Sequence, residues 1–438
     1  MKKIKRRATA AAIVALLVIF GLVVYIIRYV KDGTDWALFV ANQDLYTDGV
    51  LSSGTVKDRN GVLLATTEGG LTYADDSAVR TACLHVVGDF SGNIGSGVLN
   101  AFADTLSRYN LITGAYSFRD TGETVDLSID SALNVTAYNA FNGKKVAVVL
   151  MNYKTGEVLC MASSTSYDPS NVPDLESDYY DGVYLNRCIN ATYPPGSVFK
   201  ILTLTAAVEK IPDLFEQTFP CNGSVTVNGN VVTCAGVHGT QNIREAFANS
   251  CNCAFAELAL QLGGDTMLHY AKLLGITESI DLDGIATTAG NYDADVDDTA
   301  LAWSGIGQST DLVSPLSMAC VAATIANQGT LVNPTILLNG DNGTDHRLSE
   351  STAQTIAEMM QNNVLVHYGQ DKFPGLNVCA KTGTAEVDDG TPHAWFVGFL
   401  DDETHPYAFA VIAENSGDGL TIAGTIANTV LQAAVSAY

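Results

Sequence analysis

Three short stretches of this chain carry side chains able to make and break an acyl bond if they are brought together. The first is Tyr193-Pro194-Pro195-Gly196-Ser197-Val198-Phe199-Lys200, followed by the apolar run Ile201 to Val208. Two prolines and a glycine cannot continue a regular element, so they mark a tight turn. From Ser197 onward, helix formers with apolar residues at helical spacing run to Lys210 and the breaker Pro212. Ser197 is therefore expected at a helix N-terminus, with Lys200 one turn on along the same face. A serine hydroxyl becomes a nucleophile when a base takes its proton, and an amine whose pKa is lowered can be that base. The helix N-terminus adds free N–H groups that suit a developing oxyanion. The second stretch is Ser250-Cys251-Asn252, 53 residues on, inside a helical pattern over 243–263. Polar side chains in such a place face solvent or mark a break. The third is Lys381-Thr382-Gly383-Thr384, 131 residues after Ser250 and following a strand-like run. There an extended, peptide-like substrate can pair along the strand while Lys381, Thr382 and Thr384 meet its carboxylate; Gly383 leaves room for a close backbone approach. Each stretch alone has an ordinary reading: a capping serine with a solvated lysine, a helix break, a turn.

The elements that must position these residues follow from periodicity. Val125 to Ile129 alternates as a strand does, and Asp130 or Ser131 can cap a helix through Phe141. Lys145–Met151 and Glu157–Ala162 read as a hairpin around Asn152 to Gly156. Helical patterns then dominate at 197–210, 243–263, 265–274, 315–327 and 351–366, and strands return at 376–387, 394–400 and 407–413 before a last helix at 420–437. Strands at both ends with helices between predict an α+β fold: an antiparallel sheet flanked by helices, its C-terminal strands rejoining the first hairpin.

The 438 residues carry a net charge of −24, unevenly spread. Seven of the 23 basic residues precede Asp32 and no acidic residue does, which leaves 16 basic against 47 acidic residues in the remainder. So acidic a body argues against nucleic acid as a partner. Ala8 to Ile27 is a run of twenty residues without charge, about a bilayer core in length as a helix. It ends in Tyr25-Ile26-Ile27-Arg28-Tyr29, with no small-residue cleavage site, so an uncleaved anchor is expected rather than a signal peptide. The basic tail is then cytoplasmic and everything after Lys31 outside. The expected order is a tail over 1–7, an anchor over 8–30, a small spacer domain over 31–124 and a catalytic domain over 125–438. Within the spacer, Arg59 to Ala65 reads as strand, Asn-Gly turn, strand.

In this order and at these separations the trio Ser-x-x-Lys, Ser-x-Asn and Lys-Thr-Gly is a known signature of penicillin-binding proteins and class A β-lactamases. The chain resembles a class B penicillin-binding protein, a monofunctional peptidoglycan D,D-transpeptidase with one membrane anchor. The resemblance extends to Asn186-Arg187, to Ser166-Tyr167-Asp168-Pro169, to His393-Ala394-Trp395-Phe396-Val397-Gly398-Phe399, to Ile306-Gly307-Gln308 and to Ala326-Asn327-Gln328-Gly329. The spacer is short for the family. The resemblance implies a penicillin-binding, serine β-lactamase-like transpeptidase fold. Ser197 would attack the penultimate D-alanine carbonyl of a D-Ala-D-Ala stem peptide, and Lys200 would take its proton. Ser250 would protonate the leaving group and Asn252 hold the substrate amide; Lys381, Thr382 and Thr384 would fix the terminal carboxylate. β-Lactams would be covalent inhibitors, no metal or organic cofactor would be needed, and a membrane glycan polymerase would be the partner. The rivals are a D,D-carboxypeptidase or β-lactamase on the same scaffold, and a β-lactam-sensing receptor. No Glu-x-x-Leu-Asn pattern lies between Asn252 and Lys381, and a sensor would need more than the seven residues before Ala8.

Nine cysteines follow the anchor. Cys221 and Cys234 flank a hairpin with Asn228-Gly229 at its turn, and read either as a disulfide or as two free thiols, the odd count leaving both open. With His238 they give only three candidate zinc ligands, which disfavours a metal. Cys251 and Cys253, read as i and i+2 on one helix, are not expected to meet. Cys160, Cys188, Cys320 and Cys379 read as core residues.

Overall fold

A computed structural model describes residues 2–38, 54–66, 72–107, 109–110, 115–116, 123–340, 342–387 and 390–438. Much of the expected spacer, including 39–53, 67–71, 111–114 and 117–122, lies outside the described residues. Helix α1 (Lys2–Leu38) contains the expected anchor. Its Ala11–Lys31 stretch has a mean hydropathy of 2.7 and buries nothing, as a helix made to face lipid would.

The described part of the spacer is a small sheet of β1 (Thr55–Lys57), β2 (Leu63–Thr66), β3 (Thr72–Tyr73) and β4 (Thr124–Asp126), in the order β3-β2-β1-β4. β1 turns back into β2 at Asn60-Gly61, where Asp58 Oδ1 accepts the N–H groups of Asn60 and Val62. β4 is the strand expected at 125–129, but it pairs in parallel with β1 and belongs to this small sheet. Helix α2 (Ser77–Val87) packs beside α3 (Ser131–Ala140), whose N-terminus is capped by Asp130 through the N–H groups of Ala132 and Leu133. The Arg80 guanidinium on α2 grips both oxygens of Asp168, 2.6 Å each, and so ties this region to the Ser166–Pro169 loop.

The main sheet begins with the hairpin β5 (Val146–Asn152) and β6 (Val158–Ser163). The chain leaves it for helix α4 (Lys200–Lys210) and for the short strands β7 (Phe219–Cys221), β8 (Ser224–Val227) and β9 (Asn230–Thr233). Helices α5 (Ile243–Ala248), α6 (Asn252–Leu262), α7 (Pro315–Ala326) and α8 (Glu350–Asn363) follow. Three long strands, β10 (Val378–Ala385), β11 (His393–Leu400) and β12 (Tyr407–Ala413), then close the sheet before α9 (Thr425–Ala437). The order is β10-β11-β12-β5-β6, antiparallel throughout, with Tyr407 to Ala413 paired against Asn152 to Val146. The return of the C-terminal strands to the first hairpin is thus as expected.

Alternation along these strands sorts side chains onto two faces. Ala147, Val149 and Met151 face the helical body with α7, while Val146, Val148 and Leu150 face α3 and α9. α7 is apolar all round and buried along nearly its whole length, which marks it as the central core helix under the sheet. Gly419–Ala437 is also apolar enough to span a bilayer, but Ile426, Val430, Leu431 and Ala434 are buried against the sheet, so it is a core element here.

One expectation is corrected. The helix read over 243–263 is two helices, α5 and α6, broken at Asn249-Ser250-Cys251. Ser250 has φ +53, a left-handed conformation that no helix interior holds. Cys251 is the N-cap of α6 and not a helical residue, so the reasoning that kept Cys251 and Cys253 apart does not apply.

Candidate active site

Ser197 lies in a tight 3₁₀ turn, Gly196–Phe199, that runs directly into α4, whose first residue is Lys200. The turn is pressed against the sheet. Gly196 has φ +54, and a Cβ there would stand 2.7 Å from the Thr384 carbonyl oxygen. The Gly196 N–H donates to Gly307 O, and Trp395 Nε1 donates to Pro194 O at 3.0 Å. Tyr193, just upstream, donates its hydroxyl to Glu414 Oε1, which also takes Arg187 Nε, both at 2.7 Å. Gly196→Ala is expected to cost about 1–3 kcal/mol through the left-handed backbone and the clash with Thr384. It should also slow β-lactam acylation at least tenfold, because the turn that aims Ser197 must lift off the strand. A thermal midpoint and an acylation rate equal to wild type would contradict this.

The break between α5 and α6 brings the second cluster under the first. Lys200 Nζ lies 3.1 Å from Ser197 Oγ, 3.1 Å from Ser250 Oγ, 2.6 Å from the Ser250 carbonyl oxygen and 2.7 Å from Asn252 Oδ1. The Asn252 amide is oriented from its other end, donating to Thr233 O at 2.8 Å. Strand β10 is the sheet's edge, and its alternation turns Lys381 toward the helical body, on the same side as Cys379 and Ala385. Lys381 Nζ lies 3.1 Å from Ser250 Oγ, so that one hydroxyl sits between two lysine amines. Thr382 is half-buried and both its N–H and its hydroxyl meet Tyr368 Oη, at 3.0 and 3.2 Å, whereas Thr384 is exposed. Gly383 backs onto the nucleophile turn, where a Cβ would stand 3.0 Å from Pro195 O.

Burial divides the roles these groups can take. Lys200 and Lys381 are wholly inaccessible, while Ser197, Ser250 and Asn252 are partly open to solvent. Burial pulls Lys200 down to about 7, opposed by the thiols of Cys234, Cys251 and Cys253. Burial, and then the charge of Lys200, hold Lys381 well below the usual lysine range. No carboxylate is among the charges acting on either lysine. An amine poised near neutrality beside a serine hydroxyl can take its proton and return it. The arrangement is one that can carry out serine–lysine acyl transfer. It contains all the residues singled out by sequence; Tyr368, Trp395 and Glu414 are added, and only the His393–Phe399 resemblance had pointed to one of them.

Residues 146–432 match the model for the penicillin binding protein transpeptidase domain. The chain is 31% identical over 360 residues to the peptidoglycan D,D-transpeptidase PbpA of Mycobacterium tuberculosis, covering 72% of this chain and 73% of that one. Among solved structures it is similar to penicillin-binding protein A from M. tuberculosis in an imipenem acyl-enzyme complex, with TM-score 0.78 and 26% identity over 90% of this chain and 99% of that chain. The D,D-transpeptidase domain of a peptidoglycan glycosyltransferase from Eggerthella lenta gives TM-score 0.76 and 26% identity, covering 88% and 98%. The chain belongs to the penicillin-binding protein transpeptidase family.

Proposed function

We propose that this protein is a membrane-anchored peptidoglycan D,D-transpeptidase that works through a Ser197 acyl-enzyme. The observation that carries the reading is Lys200, buried, drawn toward neutrality and within 3.1 Å of both serine hydroxyls. Ser197 gives its proton to the Lys200 amine as its oxygen bonds the penultimate D-alanine carbonyl carbon. Backbone N–H groups of Ser197 and Thr384 receive the oxyanion. As the C–N bond breaks, Lys200 returns the proton through the Ser250 hydroxyl to the departing D-alanine nitrogen. The amine of a neighbouring stem peptide then attacks the ester and its extra proton leaves by the same route. The ester C–O bond breaks, Ser197 regains its hydrogen, and a cross-link has formed. Asn252 orients the donor peptide's amide, and Lys381 with Thr382 and Thr384 holds its carboxylate on the free edge of β10. Gly383 keeps that strand against the nucleophile turn.

The same reading places the basic tail in the cytoplasm and the catalytic domain outside, and leaves glycan polymerisation to a separate membrane enzyme. That positive-inside orientation follows from Lys2, Lys3, Lys5, Arg6 and Arg7 preceding the apolar run. External protease on intact cells is expected to remove the domain and leave a fragment holding the N-terminus; a fully protected chain would overturn the orientation. The reaction itself is tested with a stem-peptide thioester analogue and excess D-amino acid. Exchange product should exceed hydrolysis product, and hydrolysis dominating under those conditions would make the protein a carboxypeptidase.

A further inference from the structure

Directly behind the second catalytic cluster lie four cysteines that the reaction does not use. Cys221 ends β7, Cys234 follows β9, Cys251 caps α6 and Cys253 sits in its first turn. Their four Sγ atoms all lie within 4.8 Å of one another. The resolved close pairs are Cys221–Cys253 at 3.6 Å and Cys234–Cys251 at 3.9 Å. Bonded sulfurs would be about 2.0 Å apart. Four thiolates held at about 2.3 Å from a tetrahedral zinc are separated from each other by about 3.8 Å, which the Cys221–Cys253 and Cys234–Cys251 separations match.

The surroundings suit thiolates bound to a cation. Asn252 N–H donates to Cys234 Sγ at 3.2 Å, the N–H groups of Gly236 and Cys253 also turn toward that sulfur, and the Ala254 N–H turns toward Cys251. Such backbone donors hold the sulfurs of a metal centre in place and spread their charge. Cys221, Cys251 and Cys253 are buried and Cys234 is half-buried, so the cluster is closed to solvent on most sides. Four cysteine sulfurs are one of the donor sets of closed structural zinc sites. The other five cysteines of the chain, Cys83 and the core residues Cys160, Cys188, Cys320 and Cys379, lie elsewhere and are free and buried.

We infer that Cys221, Cys234, Cys251 and Cys253 bind one structural zinc ion that staples the end of β9 to the N-terminus of α6. The disulfide reading of Cys221 and Cys234 is replaced, since Cys221 has its close sulfur neighbour in Cys253 and Cys234 in Cys251. His238, at 3.6 Å from Cys234 Sγ through Nδ1, becomes a neighbour of the centre and not a ligand. The consequence reaches catalysis by position. Two ligands bracket Asn252 and one follows Ser250 directly, so the ion would hold the left-handed turn that points both at Lys200. Four soft sulfur donors in a tetrahedron select zinc, with iron the chief competitor.

The test uses the full chain in detergent, purified without a metal-binding tag. Elemental analysis is expected to give one zinc per chain, released when a mercurial reagent titrates the thiols. Reloading with cobalt(II) should bring the intense thiolate-to-metal absorption and the visible bands of a tetrahedral centre. Cys221→Ser/Cys253→Ser should lose the ion, while Cys320→Ser, in α7, should keep it. Removing zinc from the wild-type chain should lower its thermal midpoint and slow acylation at least tenfold, with Ser197 still reactive to a small phosphonate probe. If the double variant does not fold, the metal content and cobalt spectrum of the wild type decide alone. Metal-free protein with four titratable thiols would overturn the site. So would peptide maps of unreduced protein showing Cys221–Cys253 or Cys234–Cys251 disulfides, and iron in place of zinc would overturn the ion assigned.

Discussion

Full-length protein exposed to benzylpenicillin is expected to gain one drug mass on the peptide carrying Ser197, and to keep it for hours. The β-lactam mimics the terminal D-alanyl dipeptide, so the serine opens the ring and becomes an ester. Release then needs a nucleophile on the acceptor side and a base to activate it. Among the described residues, no carboxylate is among the charges acting on Lys200 or Lys381. A carboxylate set to activate water would be worth about 10²–10⁴-fold in rate, and each 1.4 kcal/mol or so on the barrier slows release tenfold. The ester should therefore outlast the assay. Ser197→Ala should gain no mass while melting at the wild-type temperature, because Ser197 is only partly buried and its hydroxyl's recorded contact is Lys200. Intact-mass spectra over time read both results. Rapid return of unmodified wild-type protein, with penicillin consumed, would mark a β-lactamase.

The second large effect is expected at Lys200. Replacing it by arginine keeps a long cationic side chain but removes any group that can deprotonate at neutral pH. Acylation of Lys200→Arg should fall by about 10²–10⁴-fold, with the fold retained. The pH profile separates loss of a base from loss of packing. Burial lowers Lys200 to about 7, so the fraction of neutral amine grows as pH rises through that value. Wild-type acylation should rise with pH through about 7 and level off above it; the arginine variant should be slow and lack that inflection. A flat wild-type profile, or an arginine variant that acylates within a few fold of wild type, would remove Lys200 from the role of base.

Much of the frame was legible along the chain because its signals are local. Strand-like apolar runs marked β5, β6, β10, β11 and β12 and helical spacing marked α4, α7 and α8, each within two or three residues of the observed ends. The Pro-Pro-Gly turn announced the nucleophile, since few residues tolerate the φ +54 that Gly196 adopts against Thr384. Pairing of the last strands with the first hairpin followed from strands at both ends of a helical interior. The break at Ser250 was left open along the chain: polar residues inside the helical pattern over 243–263 could face solvent or mark a break, and only the packed structure turns the chain there at φ +53. Tyr368 carried no signal either, because its contact with Thr382 is made in space across a wide turn that ends α8.

What the sequence determined by itself is therefore the chemistry on offer: a serine with a lysine one turn away, a second serine with an asparagine, a lysine on a strand, and a long apolar run ahead of them. Residue type and short spacing are enough for that, because helix and strand periods are properties of the backbone. What only the tertiary structure decided is what those groups become when water is excluded. Two lysines 181 residues apart meet one Ser250 hydroxyl; burial draws both away from the charged state they hold in water, and the charge of Lys200 adds to it at Lys381. The cysteines follow the same rule. Separated along the chain, Cys221, Cys234, Cys251 and Cys253 bring their sulfurs within 4.8 Å of one another only when the hairpin region and the helix N-terminus are packed together.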